Sequence, residues 1–287
     1  MAHHEALSIL EVISKSSLYL ERKGISSHKI DSEWLVSFVL GCNRMELYLR
    51  FGEILEGNVL NEIINLVMQR GKRIPLQHIL GEVQFAGLTI KSDHRALVPR
   101  FETEFLVDFL YHKLSSDFDG KIADLGCGGG AIILSLCFQM PKVHGCGFDR
   151  SLDALCLANE NLSLCKLEDR ISFKEFDWLK QNKLSEKYDL IVSNPPYLSK
   201  EEWCKSQPEV KKYDPRDALI AENEGFSDIE RVVLVATNSL VSKGLLALEF
   251  GSTQADFVQD ILSANFTTHI IPDQNLVRRF ALAVKKD

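Results

Sequence analysis

Apolar positions in residues 1–73 recur only at helical spacing: Leu7, Leu10, Ile13 and Leu18, then Trp34, Leu35, Phe38 and Val39, and later Ile63, Ile64, Val67 and Met68. Side chains three and four apart share one face of a helix, so this stretch predicts a small helical domain. Gly24, Gly41, Gly52 and Gly57 fall between the runs, at intervals suited to short helix-to-helix turns. The basic cluster Arg70, Lys72 and Arg73 closes the last helix. Compensation of that helix's C-terminal dipole is a plainer reading of it than a partner-binding patch.

Beyond Gly81 the period changes. "GEVQFAGLTIKSDHRALVPR" carries two short apolar runs split by turn residues, which predicts a β-hairpin linker. A helix is expected from Thr103, with that residue as N-cap and Phe105, Leu106, Phe109 and Leu110 on one face. Strand-like and helix-like runs then alternate: "KIADLGC" (121–127), 131–140, "VHGCGFD" (143–149), 151–165, "ISFKEFD" (171–177) and "YDLIVSN" (188–194). A long loop, a helix near 226–241, strand "GLLALEFG" (244–251), a helix near 254–264, and strands near 268–272 and 279–285 follow. Such alternation implies an α/β fold with a parallel sheet covered by helices on both faces. The last two strands are joined too tightly for a helical crossover, so the final one must run antiparallel. This arrangement resembles the Rossmann-like fold of S-adenosylmethionine (SAM)-dependent methyltransferases, with a seven-stranded sheet.

Composition narrows the class. Of 287 residues, 45% are apolar and 25% charged, which are values of a folded globular chain long enough for two domains. The N-terminal residues carry Glu5 and Glu11 and do not read as a signal peptide, and the longest uncharged run, Leu125 to Pro141, is too short and glycine-broken for a membrane span. Seven scattered cysteines with no C-x-x-C pair suggest unpaired thiols in a reducing cytoplasm. Only His3 and His4 are adjacent candidate metal ligands, so no metal site is expected. A net charge of −7, with 9 Lys and Arg against 10 Asp and Glu in residues 1–90, disfavours stable binding of nucleic acid through a basic face. A monomer is the default expectation.

The chemistry concentrates at the ends of strands. "DLGCGGGAI" (124–132) lies between the first strand and helix of the alternating region and satisfies G-x-G-x-x-A through Gly126, Gly128 and Ala131. A turn of this kind lets the backbone approach a ligand closely, and Asp149, ending the next strand, is placed to bind the two hydroxyls of a ribose. Taken alone, these residues fit a nicotinamide cofactor as well as SAM. Asp177 and Trp178 end the following strand and are placed to bracket an adenine, the acid accepting from its amine and the indole packing on its face.

"IVSNPPYLS" (191–199) ends another strand. Proline lacks an N–H and has a fixed φ, so a central strand cannot pass through Pro195 and Pro196. The Asn194 amide oxygen and the Pro195 carbonyl are two acceptors suited to one planar NH2 group, on which Tyr197 can stack. The pattern resembles the amino-methyltransferases, which methylate adenine N6, cytosine N4 or a glutamine amide. More closely, "PLQHILGEVQFAGLTI", "LVPRFETEFLVD", "DLGCGGGAI", "FDWL", "VSNPPY" and "LALEFGSTQ", in this order, resemble the protein-(glutamine-N5) methyltransferases of peptide chain release factors, the PrmC/HemK family.

That resemblance implies a substrate-recognition domain over 1–79, the hairpin linker over 80–98 and a catalytic domain over 99–287. It implies SAM as cofactor, lined by Gly126, Cys127, Gly128, Gly129 and Gly130, with Asp149 at the ribose and Trp178 at the adenine. Asn194, Pro195, Pro196 and Tyr197 would then hold the glutamine of the GGQ loop of class I release factors. The family's usual Pro-Arg-Pro-Asp-Thr-Glu is Pro99-Arg100-Phe101-Glu102-Thr103-Glu104 here, which keeps the acid but lengthens it. Competing readings are a ribosomal-protein glutamine methyltransferase, a DNA adenine methyltransferase and a SAM-binding adaptor without catalysis.

Overall fold

The computed structural model describes residues 6–114 and 117–287; His3 and His4 lie outside them. The chain forms two compact units, Met1–Gly81 and Glu82–Asp287.

The first unit is helical: α1 (Ile9–Arg22), α2 (His28–Leu40), α3 (Arg44–Leu49), α4 (Gly57–Gly71) and α5 (Leu76–Leu80). The helical periodicity concealed one feature, an antiparallel pair of two-residue strands, β1 (Leu7–Ser8) and β2 (Ile54–Leu55). Ser8 starts α1 through a capping box with Glu11, and Asn43 starts α3 in the same way with Glu46, each pair satisfying two backbone N–H groups.

The buried stripe of α1 is Ile9, Val12, Ile13, Ser16 and Leu20, whereas Leu10 and Leu18 are half exposed. Ser16 at a core position interrupts the apolar pattern and rotates its apparent face. Arg70 reaches into the interior of the unit, and Arg73 binds the carbonyls at the end of α1. The Arg70 Nε donates to the Asp31 carboxylate at 2.7 Å, both side chains being buried, and Arg73 donates to the carbonyls of Lys23 and Gly24. Arg70 sits on α4 and Asp31 on α2, so this ion pair fixes how two helices meet.

The second unit opens with hairpin β3 (Glu82–Phe85) and β4 (Leu88–Lys91), followed by α6 (Phe101–Leu114). The alternating region supplies β5 (Lys121–Leu125), α7 (Ala131–Gln139), β6 (His144–Asp149), α8 (Leu152–Cys165), β7 (Ile171–Glu175) and β8 (Tyr188–Ser193). The long loop holds short helices α9 (Lys200–Lys205) and α10 (Pro208–Tyr213) and a single turn, α11 (Glu222–Gly225). It leads to α12 (Ser227–Ser239), β9 (Leu240–Glu249), α13 (Ala255–Ser263), β10 (Phe266–Pro272) and β11 (Arg278–Lys285).

The seven strands lie in the order β10-β11-β9-β8-β5-β6-β7, with β11 antiparallel to both neighbours and the β9-β8-β5-β6-β7 pairings parallel. Side chains alternate across it: Ala123, Leu125 and Ile191 pack with α12 and α13 residues such as Val232 and Val258, while Ile122, Leu190 and Val192 pack with Leu106, Ile133 and Leu136 on the opposite face. Burial on both faces explains why the central strands read as unbroken apolar runs. The hairpin belongs to this core: Phe85, Leu88 and Ile90 are buried with Leu106 and Leu110 of α6. The strand order reverses between β5 and β8, and a crevice opens there at their carboxyl ends.

Among the described residues no helix is long and apolar enough to cross a membrane, and no group of three or more His, Cys, Asp or Glu could hold a metal ion. All seven cysteines are unpaired.

Removing one partner of a buried ion pair strands the other charge, so Arg70→Ala should lower the stability of the helical unit by about 3–5 kcal/mol, and the paired replacement Asp31→Leu with Arg70→Met by much less. Denaturant unfolding followed by far-ultraviolet circular dichroism measures both; equal losses for the two variants would contradict the assignment.

Candidate active site

A cleft of about 640 Å³ opens at the carboxyl ends of the strands. Its walls include Gly126, Gly128, Asp149, Ser151, Ala154, Trp178, Asn194 and Pro196, so the glycine turn, Asp149, the Asp177–Trp178 pair and the Asn194–Tyr197 turn each contribute at least one residue. Pro195, Tyr197, Cys127, Gly129 and Gly130 are near neighbours of these wall residues in the chain and do not line the cleft themselves.

The glycine turn is tied to β6 through its backbone. Gly126 and Cys127 both donate to the Phe148 carbonyl, and Gly128 donates to Asp149 Oδ2 at 2.9 Å. Gly126 has φ +74, and a Cβ there would sit 3.0 Å from the indole of Trp178, so conformation and space both call for glycine. At Gly128, with φ +53, an added Cβ would meet Ala96 at an ordinary contact distance of 3.7 Å, so conformation rather than space calls for glycine. Beneath the turn, Asp124 is fully buried, its Oδ2 accepting from the Ile133 N–H and its Oδ1 without a partner among the described residues. Burial pushes its carboxyl up to about 8, the Ile133 bond opposing this in part.

Asp149 accepts from Gly128 through Oδ2 and from Ser151 through Oδ1. A carboxylate offers about four lone-pair sites, so two remain for ligand hydroxyls. Burial raises its pKa, and the backbone bonds from Ser151 and Gly128, with the charge and backbone of Arg150, hold it down.

Trp178 is buried, its indole N–H donating to Asp228 at 2.8 Å while Arg231 binds its carbonyl; the first turn of α12 therefore fixes the ring. Its neighbour Asp177 turns elsewhere: Oδ1 accepts from the Leu179 N–H and Oδ2 pairs with Lys180 at 3.0 Å. Only Trp178 of this pair is on the cleft wall.

The Asn194–Tyr197 turn is held from several directions. The Asn194 Nδ2 donates to Thr103 Oγ1 at 3.1 Å, the Thr103 hydroxyl donates to Glu249 Oε2 at 2.7 Å, and the Tyr197 hydroxyl donates to Glu249 Oε1 at 3.3 Å. With its amino group committed to Thr103, Asn194 keeps its Oδ1 free of protein partners among the described residues, as is the Pro195 carbonyl. Gln254 Nε2 donates to the Tyr197 carbonyl at 3.0 Å and to that of Gly225. Gly225 has φ +92, and a Cβ there would lie 2.2 Å from the Tyr197 oxygen.

Thr103 is not an N-cap. The helix starts at Phe101, and Thr103 is its third residue, with its hydroxyl turned to Asn194 and Glu249. The rest of this segment is equally committed: Arg100 pairs with buried Asp214, and Glu104 accepts from the Ala86 N–H. Sequence reasoning also missed the cleft wall formed by Pro215, Arg216, Asp217 and Ala218, and by Arg95 to Leu97. The former returns to the turn because Leu198 and Ile220 form a bridge that closes the base of the long loop. "LALEFGSTQ" carried a usable signal, a glutamate interrupting an apolar strand.

Two profiles match the chain: the PrmC N-terminal domain over residues 11–81 and the methyltransferase small domain over residues 102–210. A release factor glutamine methyltransferase of Deinococcus radiodurans is 34% identical, covering 96% of this chain and 98% of its own. One from Fusobacterium nucleatum is 36% identical over 89% of this chain and 72% of its own. The chain belongs to the release factor glutamine methyltransferase family. A human relative, the MTRF1L release factor glutamine methyltransferase, is 31% identical over 90% of this chain and 80% of its own. The fold is shared with the hMettl16 catalytic domain, solved in complex with MAT2A 3′UTR hairpin 6, at a TM-score of 0.53 and 15% identity over 82% of this chain and 84% of that one. Membership of this family makes the chain a methyltransferase.

Gly225→Ala should cost about 1–3 kcal/mol through its positive φ, with the added methyl displacing the Tyr197 carbonyl. A thermal melt equal to that of the parent would contradict the close approach. A second outcome concerns Asp124, whose folded pKa lies above the ordinary carboxylate value of 3.8. The native state favours its neutral form, so its contribution to stability is complete below pH 3.8 and is lost as pH rises to about 8. Unfolding titrations of parent and Asp124→Asn should therefore diverge across that window; a pH-independent difference would contradict it.

Proposed function

We propose that the protein transfers a methyl group from SAM to the side-chain amide nitrogen, N5, of the glutamine in the GGQ loop of class I peptide chain release factors. The observation that carries this reading is the Asn194 amide: its nitrogen is committed to Thr103, leaving its oxygen as an acceptor at the wall of a cleft that also holds the glycine turn.

The cleft residues fit SAM. Gly126 and Gly128 offer close backbone approach for the methionine end, Asp149 retains lone pairs for the ribose hydroxyls, and the Trp178 ring suits an adenine face. Asp177, engaged with Leu179 and Lys180, is assigned the lesser part of keeping the turn before Trp178 in place. SAM supplies an electrophilic methyl on a sulfonium.

The chain's own residues position the acceptor. Asn194 Oδ1 and the Pro195 carbonyl accept the two N–H bonds of a glutamine amide and so fix its plane. Tyr197, its hydroxyl tied to Glu249 and its carbonyl to Gln254, packs beside the turn, and Pro196 contributes wall surface and rigidity. An amide nitrogen is a weak nucleophile because its lone pair is delocalised; alignment in a dry site is worth up to roughly 7–11 kcal/mol, and the nitrogen loses its proton readily once alkylated. No covalent enzyme intermediate is needed.

Recognition of the partner is assigned to the helical unit, in keeping with its match to the PrmC N-terminal domain. The family relationship supports a release factor as acceptor, and a translation factor as substrate is in keeping with a cytoplasmic monomer.

Incubation with methyl-labelled SAM and three acceptors tests the reading: a class I release factor, the same factor with the GGQ glutamine changed to alanine, and duplex DNA. Label on the first alone is expected. Label on DNA, or retained on the alanine variant, would overturn the acceptor, and no label on any of the three with SAM still bound would overturn the choice of substrate. Asn194→Ala should lower kcat about 10²–10³-fold, as loss of a positioned polar group does, with SAM affinity little changed. Loss of SAM binding in proportion would contradict the role of Asn194.

A further inference from the structure

We propose that Glu249 and Thr103 are positioning residues that set which end of the Asn194 amide faces the acceptor substrate. This rests on the assignment of Asn194 as the acceptor for the substrate NH2 group.

The argument follows the hydrogens. Glu249 is 1% exposed at the end of β9, and as a carboxylate it can only accept. Thr103, 4% exposed on α6, has one hydroxyl hydrogen, and at 2.7 Å from Glu249 Oε2 that hydrogen goes to the carboxylate. The threonine oxygen then has only lone pairs to offer Asn194, so Asn194 must meet it with its NH2 group at 3.1 Å. The amide is planar, and turning its nitrogen inward turns Oδ1 the other way. Tyr197 donates to the other carboxylate oxygen, so the same charge that orients Asn194 also anchors the last residue of the turn.

A neutral Glu249 removes this constraint. It can donate to Thr103, freeing the threonine hydrogen to point at Asn194, and the amide is then equally well bonded when flipped, presenting NH2 where an acceptor is required. Two like donors facing each other cannot hydrogen-bond, so the flipped turn does not hold a glutamine amide.

The charged and titratable groups around Glu249 come from three elements besides its own: Glu102 on α6, Tyr197 after β8 and Arg279 on β11. Burial raises the Glu249 pKa to about 7; Thr103, Arg279 and Tyr197 lower it and Glu102 raises it. Arg279 is itself held by Asp273 at 3.0 Å, and Tyr197 is pushed up and stays protonated. Productive orientation is therefore gained as pH rises through about 7 and lost below it.

The test uses the full chain and two readouts. In selectively ¹⁵N-asparagine-labelled protein without substrate, the Asn194 side-chain resonances, assigned by their absence in Asn194→Asp, should shift with a midpoint near 7. That titration should vanish in Glu249→Gln and in Thr103→Val and survive in Thr103→Ser. With SAM and a class I release factor, each of the first two variants should lose kcat about tenfold or more with SAM affinity unchanged, Thr103→Ser should stay close to the parent, and the double variant should lose no more than either single one.

An Asn194 resonance blind to pH, or one that titrates unchanged in Thr103→Val, would overturn the proposal. Parallel loss of kcat and SAM affinity would do the same by reducing the pair to scaffolding. If Glu249→Gln fails to fold, the two threonine variants alone decide the question. Absence of methyl transfer by the parent protein would refute the functional reading, while the resonance titration would still decide the orientation of Asn194.

Discussion

Two consecutive prolines at the end of β8 impose a constraint that the whole catalytic edge accommodates. β8 lies between β5 and β9 in the middle of the sheet, where every neighbouring strand expects a ladder partner. Pro195 and Pro196 offer no N–H, so the ladder stops at Ser193 and the chain leaves the sheet where the glycine turn after β5 is adjacent. An exit of that kind has few backbone bonds of its own. It is therefore held from outside by Thr103 of α6, Glu249 of β9, Gln254 beside α13 and the close-packed Gly225. The consequence is a turn held from outside whose remaining acceptors, Asn194 Oδ1 and the Pro195 carbonyl, have no partner among the described residues.

Much of the polar machinery sits in low dielectric, where position is maintained at some cost in stability. Asp124, Asp149 and Glu249 all have carboxyl pKa values pushed up by burial. Each offsets part of that cost with hydrogen bonds, to Ile133, to Gly128 and Ser151, and to Thr103 and Tyr197 respectively. The surrounding apolar layers on both sheet faces supply the stability that such a site consumes. Buried groups bonded in this way hold fixed positions, which suits chemistry that depends on aim rather than on a strong base.

The strand and helix alternation was readable because burial on both faces leaves unbroken apolar runs, and the tight final connection announced the antiparallel β11. The glycine turn, Asp149, Trp178 and Asn194 were legible for a related reason: local backbone demands, such as a positive φ or a missing N–H, leave residue signatures. What escaped was set by contacts distant in sequence. Thr103 looks like an N-cap because a threonine opening an apolar run usually is one, yet its partner is Glu249, 146 residues away. Asp177 and Trp178 are adjacent in sequence, but Asp228 claims the indole and Lys180 the acid, so only the ring reaches the cleft wall. In the helical unit the polar Ser16 at a core position and the buried Arg70–Asp31 pair likewise have no signature until α1, α2 and α4 are packed.

The central claim, that the Asn194–Tyr197 turn grips a glutamine amide through two acceptors, is tested most directly by a crystal structure of the protein with S-adenosylhomocysteine and a release-factor fragment containing the GGQ loop. The account predicts the glutamine NH2 within hydrogen-bonding distance of both Asn194 Oδ1 and the Pro195 carbonyl, with Asn194 Nδ2 still on Thr103. A glutamine bound elsewhere in the cleft, or an Asn194 amide that presents its nitrogen to the substrate, would contradict it.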